Sequence, residues 1–275
     1  MTNWDFPCSE PVDISIDSWA SGSIAVSGEP TSTVSVDVLP SHDGANADDL
    51  LAEVQVSFDD GQLYVHGPRL GSFRRRKGLD LTIKAPAGSS CAAKTASADV
   101  SCIGDISALT VQTASGDVTA DSVSGDVTVR SASGDVLLNK AGGKMSVNTA
   151  SGDIQATRVN GEARINSASG DVAVGYCTGS VSAHTASGDI ALSAVAVGRI
   201  ELGSVSGDVD VAVVPGIGVY LDLASTSGSI RSELDESEGD ASEAAVEIKC
   251  RTMSGDIRIL KARGSASEPG DSAAS

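Results

Sequence analysis

Between Ala96 and Leu260 the apolar residues keep a nine-residue register. Val118, Ala120 and Val123 are followed by Val127, Val129 and Ala132, and then by Val136, Leu138 and Ala141. Met145, Val147 and Ala150, then Ile154, Ala156 and Val159, then Val172, Val174 and Cys177 continue the series. Counted from the residue that opens each unit, the apolar positions are +1, +3 and +6. Positions +1 and +3 share one face of a short strand. Position +6, usually small, is expected to point inward at a corner.

Ser-Gly-Asp separates these triplets at Ser115–Asp117, Ser124–Asp126, Ser133–Asp135, Ser151–Asp153, Ser169–Asp171, Ser187–Asp189, Ser206–Asp208 and Ser254–Asp256. Ser97-Ala98-Asp99 and Ser227-Gly228-Ser229 are degenerate copies. Asp99, Asp117, Asp135, Asp153, Asp171 and Asp189 are each 18 residues apart, and the next steps, to Asp208 and Ser229, are 19 and 21. Gly143-Lys144, Gly161-Glu162 and Gly179-Ser180 mark the half-steps. The unit is therefore nine residues, and two units make an 18-residue coil. A fixed short period of this kind predicts an all-β fold, a parallel β-solenoid or β-helix. Its tube is expected to be narrow, two-faced or loosely triangular, with coils about 4.8 Å apart. Glycine permits the turn at each corner, and Asp or Ser can accept nearby backbone N–H groups there.

Residues 1–90 lack this register. They alternate in Val12–Ile16, Ser23–Val26, Val34–Val38, Leu63–Val65 and Leu79–Ile83, with turns at Ser27-Gly28, Asp60-Gly61 and Gly67-Pro68. Asn46–Val54 reads as a short helix. The segment is expected to be a short β-rich cap on a solenoid of residues 91–261, because an open solenoid end is an unpaired sheet edge. An acidic insertion interrupts the repeat near residues 234–243, where the step from Ser229 to Asp256 is 27 residues. Residues 262–275 read as a disordered tail.

Composition narrows the function classes. Aromatics are 3% of the 275 residues, too few for an ordinary compact core but enough for a thin one of Val, Ile, Leu and Ala. The net charge of −18 argues against nucleic acid and anionic membrane surfaces as partners, since both need a basic footprint. The basic cluster Arg74-Arg75-Arg76-Lys77, between Gly71 and Gly78, reads as a solvated turn, with a phosphate-binding patch as the alternative. The five cysteines contain no C-x-x-C pair, and Cys91, Cys102, Cys177 and Cys250 fall at inward positions. They are expected to be small buried hydrophobes; Cys8 lies outside the repeat. No secretory signal is recognisable at the N-terminus and no run is long enough to span a bilayer, so a cytoplasmic location is expected.

The chain resembles the bacterial putative-adhesin family of β-strand-repeat proteins, a family of unknown function. The likeness rests on the β lead-in, the strand ending at Lys84-Ala85-Pro86, and the recurrent T/S-A-S-G-D-[VI] of Thr113–Val118, Thr149–Ile154 and Thr185–Ile190. It covers about residues 10–260. It implies a β-solenoid and a role at surfaces or envelopes.

Asp117, Asp135, Asp153, Asp171, Asp189 and Asp208, with Asp99 before them, should stack along one corner. Such carboxylates repel by about 1 kcal/mol per pair in water, which turn N–H groups, Ser hydroxyls or Ca²⁺ could offset. The unit S-G-D-V-x-V-x-x-A has one Gly where the calcium-binding nonapeptide G-G-x-G-x-D-x-U-x has three, so a hydrogen-bonded turn is the expected role and a calcium site the alternative. No catalytic set is apparent: His42, His66 and His184 are dispersed, His184 at an outward repeat position, and the carboxylates repeat identically. Thr113, Ser131, Thr149, Ser167 and Thr185 form a hydroxyl column expected to satisfy itself by inter-coil hydrogen bonds. The function expected is a non-enzymatic scaffold or interaction module for a protein or cell-surface partner. The alternatives are a calcium- or glycan-dependent adhesin-type binder and a solenoid that self-associates through its ends.

Overall fold

The computed structural model describes residues 2–41, 47–68, 78–234 and 245–262. The lead-in holds β1 (Thr2–Pro7), β2 (Asp13–Glu29), β3 (Thr33–Pro40), the helix α1 (Ala47–Glu53), β4 (Gln55–Asp59), β5 (Gln62–His66) and β6 (Leu79–Pro86). One long bent strand, β7 (Ser89–Thr113), carries the chain into the repeat. There follow β8 (Val118–Val123), β9 (Val127–Ser133), β10 (Val136–Ala141), β11 (Met145–Ser151), β12 (Ile154–Val159), β13 (Ala163–Ser169) and β14 (Val172–Cys177). The series ends with β15 (Val181–Ser187), β16 (Ile190–Val195), β17 (Gly198–Ser206), β18 (Val209–Val213), β19 (Val219–Ser227), β20 (Ile230–Ser232), β21 (Val246–Ser254) and β22 (Ile257–Lys261). The basic cluster 74–77 and most of the acidic stretch 234–243 lie outside the described residues.

The repeat forms two ladders of parallel strands. From β8 to β18 even-numbered strands pair with even ones, as Val136 with Ile154, and odd with odd, as Met145 with Ala163, β7 alone bridging to both β8 and β9. Both pairings have the 18-residue offset that the sequence period requires. Residues 22–28 of β2 and 98–106 of β7 extend the even ladder; residues 13–17 of β2 and 109–113 of β7 extend the odd one. The core is the thin space between the ladders, filled by columns such as Val118, Val136, Ile154, Val172 and Ile190, all at most 1% exposed. Each such side chain contributes about 1.5–3 kcal/mol by leaving water.

Inward positions differ between the half-coils, which corrects the uniform +1, +3, +6 pattern. On the even ladder the pattern holds: Val123, Ala141, Val159 and Cys177 at +6 are buried. Pairing there skips position +4, so the strand bends early and re-enters the core at +6. On the odd ladder pairing continues through +5, and the strand bends at +6 instead. Thr113, Thr149 and Thr185 at +5 are therefore buried, whereas Ala132, Ala150 and Met253 at +6 face solvent.

At both ends the stacking order departs from the chain order. The coil of β2 lies between β7 on one side and β5 with β6 on the other. Near the C-terminus, β21 pairs with both β17 and β19, while β22 pairs with both β18 and β20. The chain thus lays down β19 and β20 one coil beyond its neighbour and returns to fill the gap. The N-terminal end is covered by antiparallel strands, β4 on β5 and β3 on β6, with β1 on β3. Phe6 and Phe58 stack there with ring centroids 5.1 Å apart. Trp19, 1% exposed, donates its Nε1–H to the Leu79 carbonyl and locks the β2 corner.

Candidate functional site: the polar columns of the rod

The Asp column is a continuous hydrogen-bonded rail. The backbone N–H of Asp117 donates to Asp99 Oδ1 at 3.0 Å, and that of Asp135 to Asp117 Oδ1 at 2.9 Å. Asp153, Asp171, Asp189 and Asp208 repeat this contact, each N–H reaching the Oδ1 of the Asp one coil before. The rail continues out of chain order: Asp256 N–H donates to Asp208 Oδ1, and Ser229 N–H to Asp256 Oδ1. At the other end Asp80 Oδ1 accepts from the backbone and hydroxyl of Ser23 and from the Ser41 hydroxyl. Every carboxylate in the run Asp99–Asp208 is thereby held by an amide whose positive end offsets the repulsion between neighbours. The donation from Ser229 holds the Asp256 carboxyl below the usual range.

Sequence reading placed Asp117 through Asp208 on this corner but missed Asp80 and the position of Asp256 between Asp208 and Ser229. Asp80 lies 19 residues before Asp99, yet Ser23 stands between them in the stack, paired with both. No linear period could show that.

Glycine beside each Asp is required by space. At Gly134, Gly152, Gly170 and Gly188 a Cβ would lie 2.2–2.3 Å from the carbonyl oxygen of the glycine one coil before. Gly170 also has φ 144°, which disfavours any side chain. The inward hydroxyls of the odd ladder serve this corner. Thr113 Oγ1 accepts from Gly116 N–H at 2.9 Å, whereas Thr185, Ser204 and Thr252 donate to the carbonyls of Gly170, Gly188 and Gly207. The hydroxyls of Ser131, Thr149 and Ser167 are buried without a partner. The hydroxyl column expected to bond to itself thus bonds to corner backbone where it bonds at all.

Four of the five cysteines are buried and all are unpaired. Desolvation raises the Cys177 thiol and pushes Cys250 up to about 12, and a hydrogen bond with Cys102 raises Cys91. Among the described residues no three His, Cys, Asp or Glu side chains are disposed to hold a metal, and no helix is long and apolar enough to cross a membrane. His66 lies 4.0 Å from Asp17, and His184 is exposed on the odd ladder as expected; His42 is outside the described residues.

A periodic two-ladder tube with an Asp rail is what the family comparison meets. The model of the Toastrack DUF4097 family matches residues 13–260. The chain belongs to the Toastrack DUF4097 family. Among solved structures, one described as a putative lipid binding protein from Parabacteroides distasonis ATCC 8503 is 14% identical, with TM-score 0.51, 94% of this chain and 96% of that one being covered. A putative adhesin from Bacteroides fragilis NCTC 9343 is also 14% identical over 94% and 96% of the two chains, with TM-score 0.41. No curated protein matches the chain. At 14% identity and TM-score 0.51, the likeness to the Parabacteroides distasonis protein is one of fold.

Proposed function

We propose that this Toastrack protein is a non-enzymatic, adhesin-like binding scaffold, a rigid rod that presents regularly spaced polar columns to a partner. One observation carries the reading: the most conspicuous repeated chemical groups, the corner carboxylates, are spent on holding successive coils together through backbone amides. What remains for function is the outward surface, whose columns repeat from coil to coil. The adhesin descriptions carried by several proteins of similar fold agree with a binding role. The test is binding of the purified chain to fractionated envelope and extracellular material, with the bound material then analysed by mass spectrometry. Saturable binding that leaves the material chemically unchanged is expected. Covalent change in that material, abolished by substitution of one residue of the rod, overturns the reading.

A further inference from the structure

The net charge hides a local exception. On the odd ladder the outward side chains stand at +2 and +4, in register from coil to coil. The +2 column reads Thr110, Thr128, Ser146, Arg164, Ser182, and the +4 column reads Gln112, Arg130, Asn148, Asn166, His184. One coil earlier stand Ala92 and Lys94, both exposed. Over these six coils neither column holds a carboxylate, although the chain has 37 acidic residues against 19 basic ones. Carboxylates return only beyond the strip, as Asp17 at one end and Glu201 at the other. The two acids on the adjoining corner are engaged: Asp126 Oδ1 accepts the Lys144 N–H, and Glu162 pairs with Arg164 at 2.6 Å.

The strip is therefore a narrow band of hydrogen-bond donors with three cations and a histidine, repeating about every 4.8 Å along the rod. Asn166 already donates to Asn148 across one such step, at 3.1 Å. Beyond the end of the strip nearest the N-terminal cap the surface opens into a depression of about 310 Å³ lined by Tyr64, His66, Asp17, Ser15, Ala92, Lys94 and Gln112, with His66 4.0 Å from Asp17. Small Ser15 and Ala92 leave room there, and the Tyr64 side chain is exposed.

We infer that this strip binds an extended acidic polysaccharide lying along the rod, with a terminal sugar in the depression beside Tyr64. Hydroxyl, amide and guanidinium donors at strand spacing suit a chain of pyranose rings, whose residues advance by a comparable length. Lys94 and Arg130 supply the complement to its carboxylates, while Arg164 is shared with Glu162. None of the large exposed apolar side chains lies at the twelve positions of the two columns, so nothing there would enter a lipid bilayer. The flanking acidic corners oppose the denser charge of nucleic acid. This deepens the scaffold reading above, on which it rests, by naming the class of ligand.

The experiment is fluorescence anisotropy of a labelled short oligogalacturonate titrated with the full chain. Neutral dextran of similar length, polyglutamate and phosphatidylglycerol vesicles serve as competitors. Saturable binding, weakened by salt and competed poorly by all three, is expected. Lys94→Glu and Arg130→Glu should each weaken it about tenfold or more, while Lys140→Glu on the even ladder leaves it unchanged. Circular dichroism of each variant establishes that the rod is intact. No saturable binding, equal loss with Lys140→Glu, or equal competition by polyglutamate or vesicles overturns the inference. If the oligogalacturonate fails while the envelope fractions above still bind, this inference alone falls; if both fail, the scaffold reading falls with it.

Discussion

At Gly170 the repeat motif meets its strictest demand, since an added methyl would sit 2.2 Å from the Gly152 carbonyl oxygen in a backbone held at φ 144°. Gly170→Ala should destabilise the rod by about 2–4 kcal/mol, from combined strain and overpacking, read as a fall in the urea midpoint. The neighbouring Asp asks for less. Asp153→Ala removes the acceptor of the Asp171 N–H and should cost about 1 kcal/mol, whereas Asp153→Asn keeps an oxygen there and should cost little. Urea melts of the two variants make that comparison. The thiols are a third residue-scale case. Cys91, Cys102, Cys177 and Cys250 are at most 2% exposed, while Cys8 is half-buried. A colorimetric thiol titration of the native protein should find one reactive cysteine, rising to five after unfolding. Because the raised pKa values of Cys91, Cys177 and Cys250 belong to the folded state, the unfolded chain loses its thiol protons first. Stability should be unaffected by these groups below about pH 8.5 and fall as the pH rises beyond it.

At the scale of the element, the coil of β21 and β22 is the one whose neighbours sequence order does not supply. Its charges name those neighbours. Arg199 of β17 pairs with Glu247 at 2.7 Å; Arg251 pairs with Asp222 of β19 at 2.6 Å; Arg258 reaches Asp208 and Asp210 at 2.9 and 2.7 Å. Exposed pairs of this kind add little stability each, but in the sequential order Glu201 of β17 would face Asp222 of β19 without Lys249 between them, so charge favours the observed order. The Arg251 guanidinium beside Asp222, the Lys249 ammonium beside Glu247, and the Ser229 amide on Asp256 hold all three carboxyls below their usual range. With the folded values lowered, the unfolded chain takes up protons first as pH falls. The stability these groups contribute is present above about pH 4 and is lost below it. Hydrogen exchange at pH 3 against pH 6, corrected for intrinsic rates, should show faster opening of residues 219–232 and 246–261 at the lower pH. Equal protection at both would contradict the assigned role of these pairs.

For the whole molecule, the two ends are unlike. The N-terminal end passes into antiparallel pairings through β3 and β4, while β19 has a strand neighbour on one side only, among the described residues. End-to-end growth needs both ends to offer matching parallel edges, so the rod should not polymerise: light scattering at rising concentration should show no continuous increase in size. Placing the first and last repeat coils between neighbours also means that neither can fray without parting two interfaces. Much of this was open to reading along the chain. The nine-residue unit, the two strands per coil, the Ser-Gly-Asp corner, the buried cysteines and the helix near residue 50 follow from side-chain periodicity and backbone chemistry, which act over a few residues. Position +6 did not, because its direction depends on where each half-coil bends, at Asn139 on one ladder and at Ala150 on the other. Nor did the order of the end coils, or the place of Asp80 and Asp256 on the rail. A period records that units are alike, and therefore cannot record which like unit lies against which. That choice was made in three dimensions, by the ion pairs that join β21 and β22 to β17 and β18 and by the close fit of the Trp19 corner against Leu79.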